Sequence, residues 1–386
     1  MENKKKYIVM SPLFPNDNSH AGSYVYDQVK TIIDLSDYNV KVIKVTSLFS
    51  SEKDYNFKGI EVKVFKVFDL PFFIFPGLFN WVNAIRINRF FKAHNLVAEL
   101  DVIHAHVCYP SAYLANSIAT VLNVRTMIQH HGIDALQLLN GRLSFITKIQ
   151  KNILRNRSLK QLNKIDLNIS VSNRVKNELH LYSNYFPKKE YVLYNGVDRT
   201  KFYNMNVIKS TDKFQIGCIA NFWPIKDHIN LIKAIDLLVK EGVNDIVLRL
   251  IGTGEMLDSC KNFVKANHLE EHVLFEQERP HEQINIFYNE IDLFVLSSYY
   301  EASACVLMEA WATDTPILSI KNQGISELIP EKERKNLLAE EQSAESLKEK
   351  ILIAYNNRRS YPFDEKYDIK NTIFAFFNSS FFKSDD

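Results

Sequence analysis

Short apolar runs alternate with longer segments of helical periodicity almost from the start of the chain. In the first half, the apolar runs lie at 6–11, 40–45, 62–67, 102–106, 125–129, 165–170 and 191–193. Short runs rich in Val and Ile, separated by helical segments, are typical of parallel strands joined by crossover helices. The pattern therefore predicts an α/β fold built on a parallel sheet.

The same pattern restarts after a polar stretch without strong periodicity at 197–213. Further strands are predicted at 214–219, 246–251, 273–275, 293–296 and 317–319. A single hydrophobic core stops growing at roughly 250–300 residues, so two domains are expected for a chain of 386 residues. We predict two doubly wound, Rossmann-like domains facing a central cleft, with ligands bound outside the carboxyl ends of the strands.

Two segments depart from this alternation. The segment 70–100 is rich in phenylalanine, and the segment 142–164 carries seven basic residues and no acidic one. A basic amphipathic helix can lie on an anionic membrane leaflet. A helix packed on its own domain with a solvated basic face accounts for the same pattern. The sequence leaves both interpretations open.

The net charge of +2 conceals an uneven distribution. Residues 1–195 contain 25 Lys and Arg against 15 Asp and Glu, a charge of +10, and the remainder contains 22 against 30, a charge of −8. One half of the chain is therefore suited to an anionic surface. The acidic second half argues against a nucleic-acid partner.

Cysteine usage and the apolar runs indicate a compartment. The four cysteines have no paired spacing, so neither a disulfide framework nor a zinc site is indicated, and a reducing cytosol fits. Three lysines at 4–6 precede the apolar residues 7–10, but this apolar run is too short for a signal peptide. The sequence contains no stretch of about 18 apolar residues, so no membrane span is predicted. We expect a cytoplasmic protein, with peripheral attachment to the inner leaflet as an option.

Two glutamates, Glu301 and Glu309, follow the apolar run at 293–296. Good helix formers surround the second one, and eight helical residues correspond to about 12 Å. This separation is too long for an acid/base pair but suits a ligand held at both ends. Amides at the helix start would favour an anion such as a diphosphate. They belong to Ser303, Ala304 and Cys305. A surface helix with two solvated glutamates is the alternative.

Other chemistries lack their sequence patterns. Histidines cluster at His104, His106, His130 and His131, but no carboxylate or cysteine has a convincing zinc-ligand spacing with them. The Asp-x-Asp pattern of manganese-dependent sugar transferases is missing. The Gly-x-Gly at 252–254 lacks the third glycine of a dinucleotide-binding fingerprint, and no Walker loop or Gly-x-Ser-x-Gly elbow occurs. We expect neither a metal nor a bound cofactor.

Several short motifs follow one another in a particular order. They are Gly22, His131-Gly132, the Asn-Gly-Val-Asp at 195–198, the Trp-Pro-x-Lys at 223–226, the glutamate pair, and the segment 323–327. In this order they resemble the retaining glycosyltransferases of family 4, which have the GT-B fold. The resemblance covers nearly the whole chain and is densest from about 191 to 329.

The resemblance implies a division of labour between the two domains. Residues 1–200 would bind the acceptor, and residues 201–362 would bind a nucleotide-sugar donor. The last helix, at about 363–382, would cross back and pack on the first domain. Asp134 would orient a neighbouring histidine or the acceptor, although solvation or helix capping explains it equally well.

Roles in the reaction are implied for individual residues by the same resemblance. Lys226 would neutralise the donor diphosphate, helped by the amides at 303–305. Glu309 would accept hydrogen bonds from the ribose hydroxyls, and Glu301 would hold the transferred sugar. His131 would contact that sugar from the first domain. Further contacts to the donor are implied for Gly22, Asn221 and Gly252.

Three positions depart from the family pattern. Many members have an arginine where Asn221 stands, so one charge on the diphosphate is missing. Asp314 and Gln323 replace glycines and bear on backbone geometry. None of these changes removes the lysine or the two glutamates, so an active enzyme is expected.

The implied reaction moves a sugar, with retention and without a metal, from a nucleotide sugar to a saccharide acceptor. A UDP-sugar is expected in preference to a GDP-sugar, and a lipid-linked acceptor of bacterial surface polysaccharide (O-antigen, capsule or exopolysaccharide) synthesis is expected. A covalent carboxylate intermediate and same-face attack assisted by the leaving phosphate both remain open. A soluble acceptor, a GT-B nucleotide-sugar epimerase and a non-catalytic nucleotide-sugar-binding subunit are the alternatives.

Overall fold

The structure is a computed structural model that describes residues 4–69, 77–132, 147–207, 209, 212–358 and 362–383. The chain forms two compact units. The first unit contains residues 1–194 and 369–386, and the second contains residues 195–368. The chain therefore enters the second unit earlier than the expected boundary at 200, and it returns to the first unit later than residue 362.

An eight-stranded sheet forms the centre of the first unit. Its strands are β1 (Lys6–Ser11), β2 (Asn39–Ser47), β3 (Tyr55–Phe57), β4 (Ile60–Val67), β5 (Leu100–His106), β6 (Arg125–His130), β7 (Leu167–Ser170) and β8 (Glu190–Val192). Their order is β3-β4-β2-β1-β5-β6-β7-β8, and only the β3–β4 pair is antiparallel. Consecutive residues of β1, β6 and β7 are buried. Both faces of the sheet are therefore covered, as in other parallel sheets.

The first unit also contains the helices α1 (Ser23–Leu35), α2 (Asn80–Ala93), α3 (Tyr113–Leu122), α4 (Thr147–Leu162) and α5 (Asn173–His180). Helix α1 buries Val25, Val29 and Ile32, whose spacing places them on one face. The helix predicted from residue 110 begins at Tyr113, because residues 108–112 form a wider turn in which Tyr109 has extended backbone angles.

Helix α4 is the described part of the basic segment. It buries Leu154, Leu159 and Leu162, while Lys148 and Lys160 are exposed. The helix thus packs on its own unit and turns a basic face outward, and contact of that face with a membrane stays a prediction. None of the helices that the structure describes is long and apolar enough to cross a bilayer.

A six-stranded parallel sheet forms the centre of the second unit. Its strands are β9 (Phe214–Ile219), β10 (Ile246–Ile251), β11 (Val273–Glu276), β12 (Leu293–Val295), β13 (Ile317–Ile320) and β14 (Leu338–Ala339), in the order β11-β10-β9-β12-β13-β14. Its helices are α6 (His228–Lys240), α7 (Leu257–Ala266), α8 (His281–Glu290), α9 (Cys305–Ala312), α10 (Glu331–Leu337) and α11 (Ala344–Asn357). Strands β3 and β14, of three and two residues, were not predicted because they are too short to show a period.

The last helix, α12 (Ile369–Phe377), belongs to the first unit. It packs against α1 and buries Ile369, Ile373 and Phe376 in the apolar cluster that contains the buried face of α1. Arg125 Nη1 fixes the segment beyond the helix by donating to Phe381 O over 2.9 Å. The last helix therefore joins a core that is otherwise formed by residues far from it in the chain.

Both sheets have one point at which the strand order reverses. In the first unit the chain builds outward from β1 through β2 and then continues on the other side with β5. In the second unit it builds outward from β9 through β10 and continues on the other side with β12. Loops diverge at such switch points, so the crevices there are the expected ligand sites of α/β sheets.

Candidate active site

Lys226 and Glu301 meet at the switch point of the second unit. Lys226 ends a short helical turn after β9, and Glu301 lies in the loop after β12. Lys226 Nζ donates to Glu301 Oε1 over 2.5 Å, and the two side chains are 25% and 12% exposed. The loops also meet through their main chains, since Tyr299 N donates to Ile225 O over 3.1 Å. An ammonium group has three N–H donors, and Glu301 takes one of them.

Gln323 holds the loop that carries Glu301. The residue is completely buried, and its Oε1 accepts a hydrogen bond from Glu301 N over 2.7 Å. Its Nε2 donates to Tyr299 O over 3.1 Å and to Lys321 O over 3.2 Å. The sequence marked Gln323 only as a replaced glycine. Its position between two strand ends makes it a support for the site instead.

Helix α9 begins directly after the Glu301 loop. Its N-cap is Ala304 and its first residue is Cys305. The main-chain amides of these two residues and of Ser303 therefore lie at the positive end of the helix dipole. Asn195 Nδ2, from the Asn-Gly-Val-Asp motif, lies 3.5 Å from both Ser303 O and Cys305 Sγ. The motif thus packs against the start of the helix.

Glu309 lies on α9 and is held by a residue that the sequence did not single out. Tyr288, on α8, is completely buried and donates from its hydroxyl to Glu309 Oε2 over 2.8 Å. Burial and the nearby carboxylate raise the pKa of the Tyr288 phenol well above its usual value. The phenol therefore stays protonated and acts as a donor. Tyr288 falls in an ordinary helical run with no motif, so only the tertiary structure reveals it.

Gly252 and Asn221 follow the neighbouring strands β10 and β9. A Cβ at Gly252 would lie 2.1 Å from Ala220 O, and the residue has φ of +149°. Only glycine fits this close approach of two loops. Asn221 is exposed beside it, and its carbonyl accepts from Trp223 N over 2.7 Å. The structure therefore brings both predicted donor contacts to the same sheet edge as Lys226.

Asp314 explains one departure from the family pattern. The residue has φ of +61°, in the left-handed region that glycine adopts readily. Aspartate tolerates this region better than most residues. Asn204 Nδ2 also donates to Asp314 Oδ2 over 3.1 Å. The backbone conformation that favours glycine is thus kept without one.

Gly22 lies at the switch point of the first unit. It is the N-cap of α1 and has φ of +88°. A Cβ there would lie 2.5 Å from Leu13 O. The loop at 12–22 therefore folds back onto itself closely enough to require glycine. Substitution by any residue with a side chain would displace the start of α1.

His131 ends a row of three histidine rings. The rings of His104 and His106 are stacked with centroids 4.5 Å apart, and those of His106 and His131 lie side by side, with centroids 5.2 Å apart and 10° between their planes. His106 Nδ1 and His131 Nε2 share a hydrogen bond of 2.9 Å. Tyr24 also packs against the His131 ring, with the two centroids 4.6 Å apart. Three of the four histidines that cluster in the sequence thus contact one another directly in the structure.

Burial keeps these rings neutral. It lowers the pKa of His104 and of His131 to about 3, and that of His130 to about 4. His130 is held separately, by Asn168 Oδ1 at 3.2 Å. At neutral pH His131 can therefore donate or accept a hydrogen bond but carries no charge. The prediction for Asp134 lies outside the described residues.

The second unit presents a consistent set of groups at its switch point. An ammonium group and the start of a helix offer positive potential, and two held carboxylates offer hydrogen-bond acceptors. This set suits a diphosphate with hydroxyl-bearing groups at its two ends. No described group of His, Cys, Asp and Glu side chains is arranged to hold a metal ion.

Comparison with solved structures identifies the fold. The crystal structure of Anabaena HepE in complex with UDP and glucose matches with a TM-score of 0.69 at 16% identity, over 97% of this chain and all of that one. At this identity the match shows the fold alone. The fold is GT-B, and the chain is a glycosyltransferase of the GT-B type.

Two sequence profiles identify the family. The profile described as Glycosyltransferase Family 4 matches residues 21–201, and the profile described as Glycosyl transferases group 1 matches residues 201–370. Together they take up most of the chain. The protein therefore belongs to the family 4, group 1 glycosyltransferases, as the order of its motifs predicted.

Curated relatives agree with this assignment. An uncharacterized glycosyltransferase of Methanocaldococcus jannaschii is 27% identical over 289 residues, which are 73% of this chain and 72% of the relative. The N-acetyl-alpha-D-glucosaminyl L-malate synthase of Bacillus anthracis is 27% identical over 244 residues, which are 60% of this chain and 59% of the relative. The chain thus spans less than two thirds of the second relative.

Proposed function

We propose that the protein transfers a sugar from a UDP-sugar to a lipid-linked saccharide acceptor, with retention of configuration and without a divalent metal. The transfer would serve bacterial surface-polysaccharide synthesis at the inner leaflet of the membrane. The observation that carries the proposal is the Lys226–Glu301 pair, placed with α9 and Glu309 at one switch point. A cation with helix amides and two carboxylate acceptors is the chemistry that the diphosphate and the hydroxyl groups of a nucleotide sugar require.

Each held group has a part in the proposed donor complex. Lys226 Nζ and the amides at the start of α9 bind the diphosphate and stabilise the charge that develops on it as the sugar leaves. Glu309, oriented by Tyr288, accepts from the ribose hydroxyls, and Glu301 accepts from the hydroxyls of the sugar. In the first unit, neutral His131 offers an uncharged hydrogen-bonding group to a substrate.

Same-face attack fits the engaged carboxylates. Glu301 is bound to Lys226 and Glu309 to Tyr288, so neither is a free nucleophile. In our proposal the acceptor hydroxyl forms the new glycosidic bond to the anomeric carbon as the bond to the diphosphate breaks. The hydroxyl proton passes to an oxygen of the departing diphosphate. The new bond therefore forms on the face that the leaving group vacates, which gives retention.

The names of the similar proteins guide the choice of donor. The Anabaena structure contains UDP and glucose, and the Bacillus relative is named for N-acetylglucosaminyl transfer. UDP-N-acetylglucosamine and UDP-glucose are therefore the first donors to test. The L-malate of the Bacillus relative is a small soluble acceptor, so a soluble acceptor is the main alternative to a lipid-linked one.

A donor panel tests the proposal. The protein would be incubated with UDP-N-acetylglucosamine, UDP-glucose, UDP-galactose and GDP-mannose, and the released nucleotide and the sugar products would be measured by chromatography and NMR. We expect release of UDP, unchanged by EDTA, and its loss in Lys226→Ala. An epimerised sugar nucleotide, or binding of a donor without any release, would contradict transfer. Activity that EDTA abolishes and manganese restores would contradict transfer without a divalent metal.

A further inference from the structure

An open cavity of about 640 Å³ lies in the first unit, and none of the candidate-site residues described above lines it. Its walls are the loop after β2, the end of β4 and one face of α2. It is lined by four cationic side chains and two aromatic ones: Lys53, Lys66, Arg86, Arg89, Phe65 and Phe90. We name it the basic pocket. Its volume falls within the range of small-molecule sites, about 300–1,000 Å³.

The positive charge of the basic pocket is not neutralised by protein carboxylates. The two acidic residues at its wall, Glu52 and Asp54, are already paired with Lys44 at 2.6 Å and Lys63 at 3.1 Å. Across the described residues, no carboxylate lies within 4.0 Å of the four cationic groups. The segment 70–76, which precedes α2 and is not described, contains no acidic residue. The pocket therefore has a surplus of positive charge.

Arg86 is held in place for binding an anion. Its guanidinium lies over the Phe65 ring at 5.4 Å, and Phe65 packs edge-on against Phe90 at 5.4 Å. Burial lowers the pKa of Arg86, which shows that its charge is partly desolvated. A stacked, partly desolvated guanidinium loses little freedom on binding and forms strong bonds to an oxyanion.

The wall of the pocket is bonded to the loop that carries Gly22. Asn16 Nδ2 donates to Glu52 Oε1 over 3.2 Å, and Tyr55 Oη donates to Pro15 O over 3.0 Å. The loop at 12–22 follows β1 at the switch point of the first unit, where we expect this unit to bind the acceptor. A ligand in the basic pocket would therefore lie beside the loop at 12–22.

We infer that the basic pocket binds a phosphate ester of the acceptor, with the carbon skeleton next to that phosphate lying on Phe65 and Phe90. This inference rests on the proposed function and names the chemistry of its acceptor. The pocket is much larger than one phosphate group, so a diphosphate with the first part of a lipid chain or sugar fits. The anionic headgroup of a membrane phospholipid has the same chemistry and is the competing source.

Calorimetric titration with geranyl diphosphate, a soluble lipid diphosphate, tests the inference. The titration would use the Lys226→Ala background, so that the donor site of the second unit does not take up the probe. We expect saturable binding that weakens at least about tenfold in Arg89→Gln and further in Arg86→Gln/Arg89→Gln. Lys92→Gln, which removes an exposed cation of α2 that does not line the pocket, should bind like its parent.

Several outcomes would overturn the inference. They are no saturable binding, equal binding by all variants, and binding that is seen only to vesicles of phosphatidylglycerol. Arg89 is exposed, so its variant tests the pocket even if replacement of Arg86 disturbs the packing on Phe65. Release of UDP by the unmodified protein reports separately on the proposed function. Binding of geranyl diphosphate without release of UDP would refute the proposed function but support the pocket as a phosphate-ester site. Release of UDP without binding of geranyl diphosphate would refute only the inference about the pocket.

Discussion

At the scale of single residues, the site depends on side chains that hold other side chains. Tyr288 is buried, lacks any motif, and fixes Glu309 through one hydrogen bond of 2.8 Å. His106 is buried and fixes His131 in the same way. Such supporting residues set the direction in which the outer residue presents its lone pair or proton.

Replacement of Tyr288 by phenylalanine should weaken the binding of UDP. The ring and its edge-on packing against Phe294 at 5.4 Å remain, and only the bond to Glu309 is lost. Because a hydrogen bond to a charged group contributes about 1.5–3 kcal/mol, we expect a loss of about tenfold in affinity, and a similar or larger loss in Glu309→Gln. Calorimetry with UDP measures both, with Tyr203→Phe as the control. Unchanged affinity in Glu309→Gln would refute the ribose assignment.

The row of histidines also predicts a tautomer. The Nε2 of His106 is buried and has no hydrogen-bond partner among the described residues. An unpaired acceptor costs less than an unpaired N–H, so the proton of His106 belongs on Nδ1, where it is donated to His131 Nε2. His131 is then left with its own proton on Nδ1, free to be donated to a ligand.

Asparagine and alanine at position 106 should therefore behave differently. The amide of asparagine lies where Nδ1 of histidine lies, so His106→Asn should keep most of the turnover, while His106→Ala should lose about tenfold or more. Burial holds the pKa of His131 at about 3, so the parent should show no acid limb near pH 6.5. Solvent entering beside His131 in His106→Ala should raise that pKa, and turnover should then fall as the pH drops through about 6.5. Identical pH profiles and turnover in both variants would contradict the assigned tautomer.

At the scale of elements, the site is made by loops at the ends of strands. Gln323 joins the loop after β12 to the loop after β13, and Gly252 lets the loop after β10 lie against Ala220. Neither contact is local in sequence. The loops are therefore positioned by the sheet and then locked to one another by buried hydrogen bonds.

Removal of the Gln323 amide should loosen the Glu301 loop. Gln323→Ala leaves the Glu301 amide and two carbonyls without their partner, and each lost buried bond costs about 1–3 kcal/mol. We expect the free energy of unfolding to fall by at least the cost of one such bond, about 1–3 kcal/mol. Turnover should fall about tenfold or more. Urea denaturation and UDP release measure the two effects. Gln283 is exposed, so Gln283→Ala serves as the control. Wild-type turnover in a destabilised Gln323→Ala would show that Gln323 stabilises the fold without positioning the site.

At the scale of the whole molecule, the charge division follows the two units. The C-terminal segment 369–386 has two basic and two acidic residues, so the first unit keeps the charge of +10 and the second keeps −8. The exposed face of α4 contributes part of this excess. An anionic leaflet attracts each nearby basic residue by about 1 kcal/mol. Only the first unit is therefore suited to that leaflet.

Reversal of Lys148, Lys151 and Arg155 on α4 to glutamate should release the protein from anionic vesicles. Positions 148, 151 and 155 lie on one face of the helix, where Lys148 is exposed and the other two residues are half-buried. None of them belongs to the second unit, so its residues are unchanged. Flotation with phosphatidylglycerol vesicles measures the binding, and reversal of Lys265, Lys332 and Lys335 in the second unit is the matched control. Equal binding by the two triple variants, or none by the parent, would refute the role of α4.

Sequence alone determined the fold class and most of the strands, and it named the lysine and glutamates that the structure brings to the switch point of the second unit. These follow from local information, because apolar periodicity specifies strands and helices, and strand order makes their carboxyl ends meet. The lysine and both glutamates were found because their motifs are contiguous in the chain. The last helix was placed on the first unit by resemblance, since nothing in its own period says which core it joins.

Only the tertiary structure revealed the roles of Tyr288 and Gln323, the contacts between the histidine rings, and the basic pocket. Tyr288 lies 21 residues from Glu309, Gln323 lies 22 residues from Glu301, and Arg86 lines a pocket with residues of β4 and of the loop after β2. Their significance depends on burial and on the partner that each one meets. Neither property is encoded in a short stretch of sequence, because the packing of distant segments decides both.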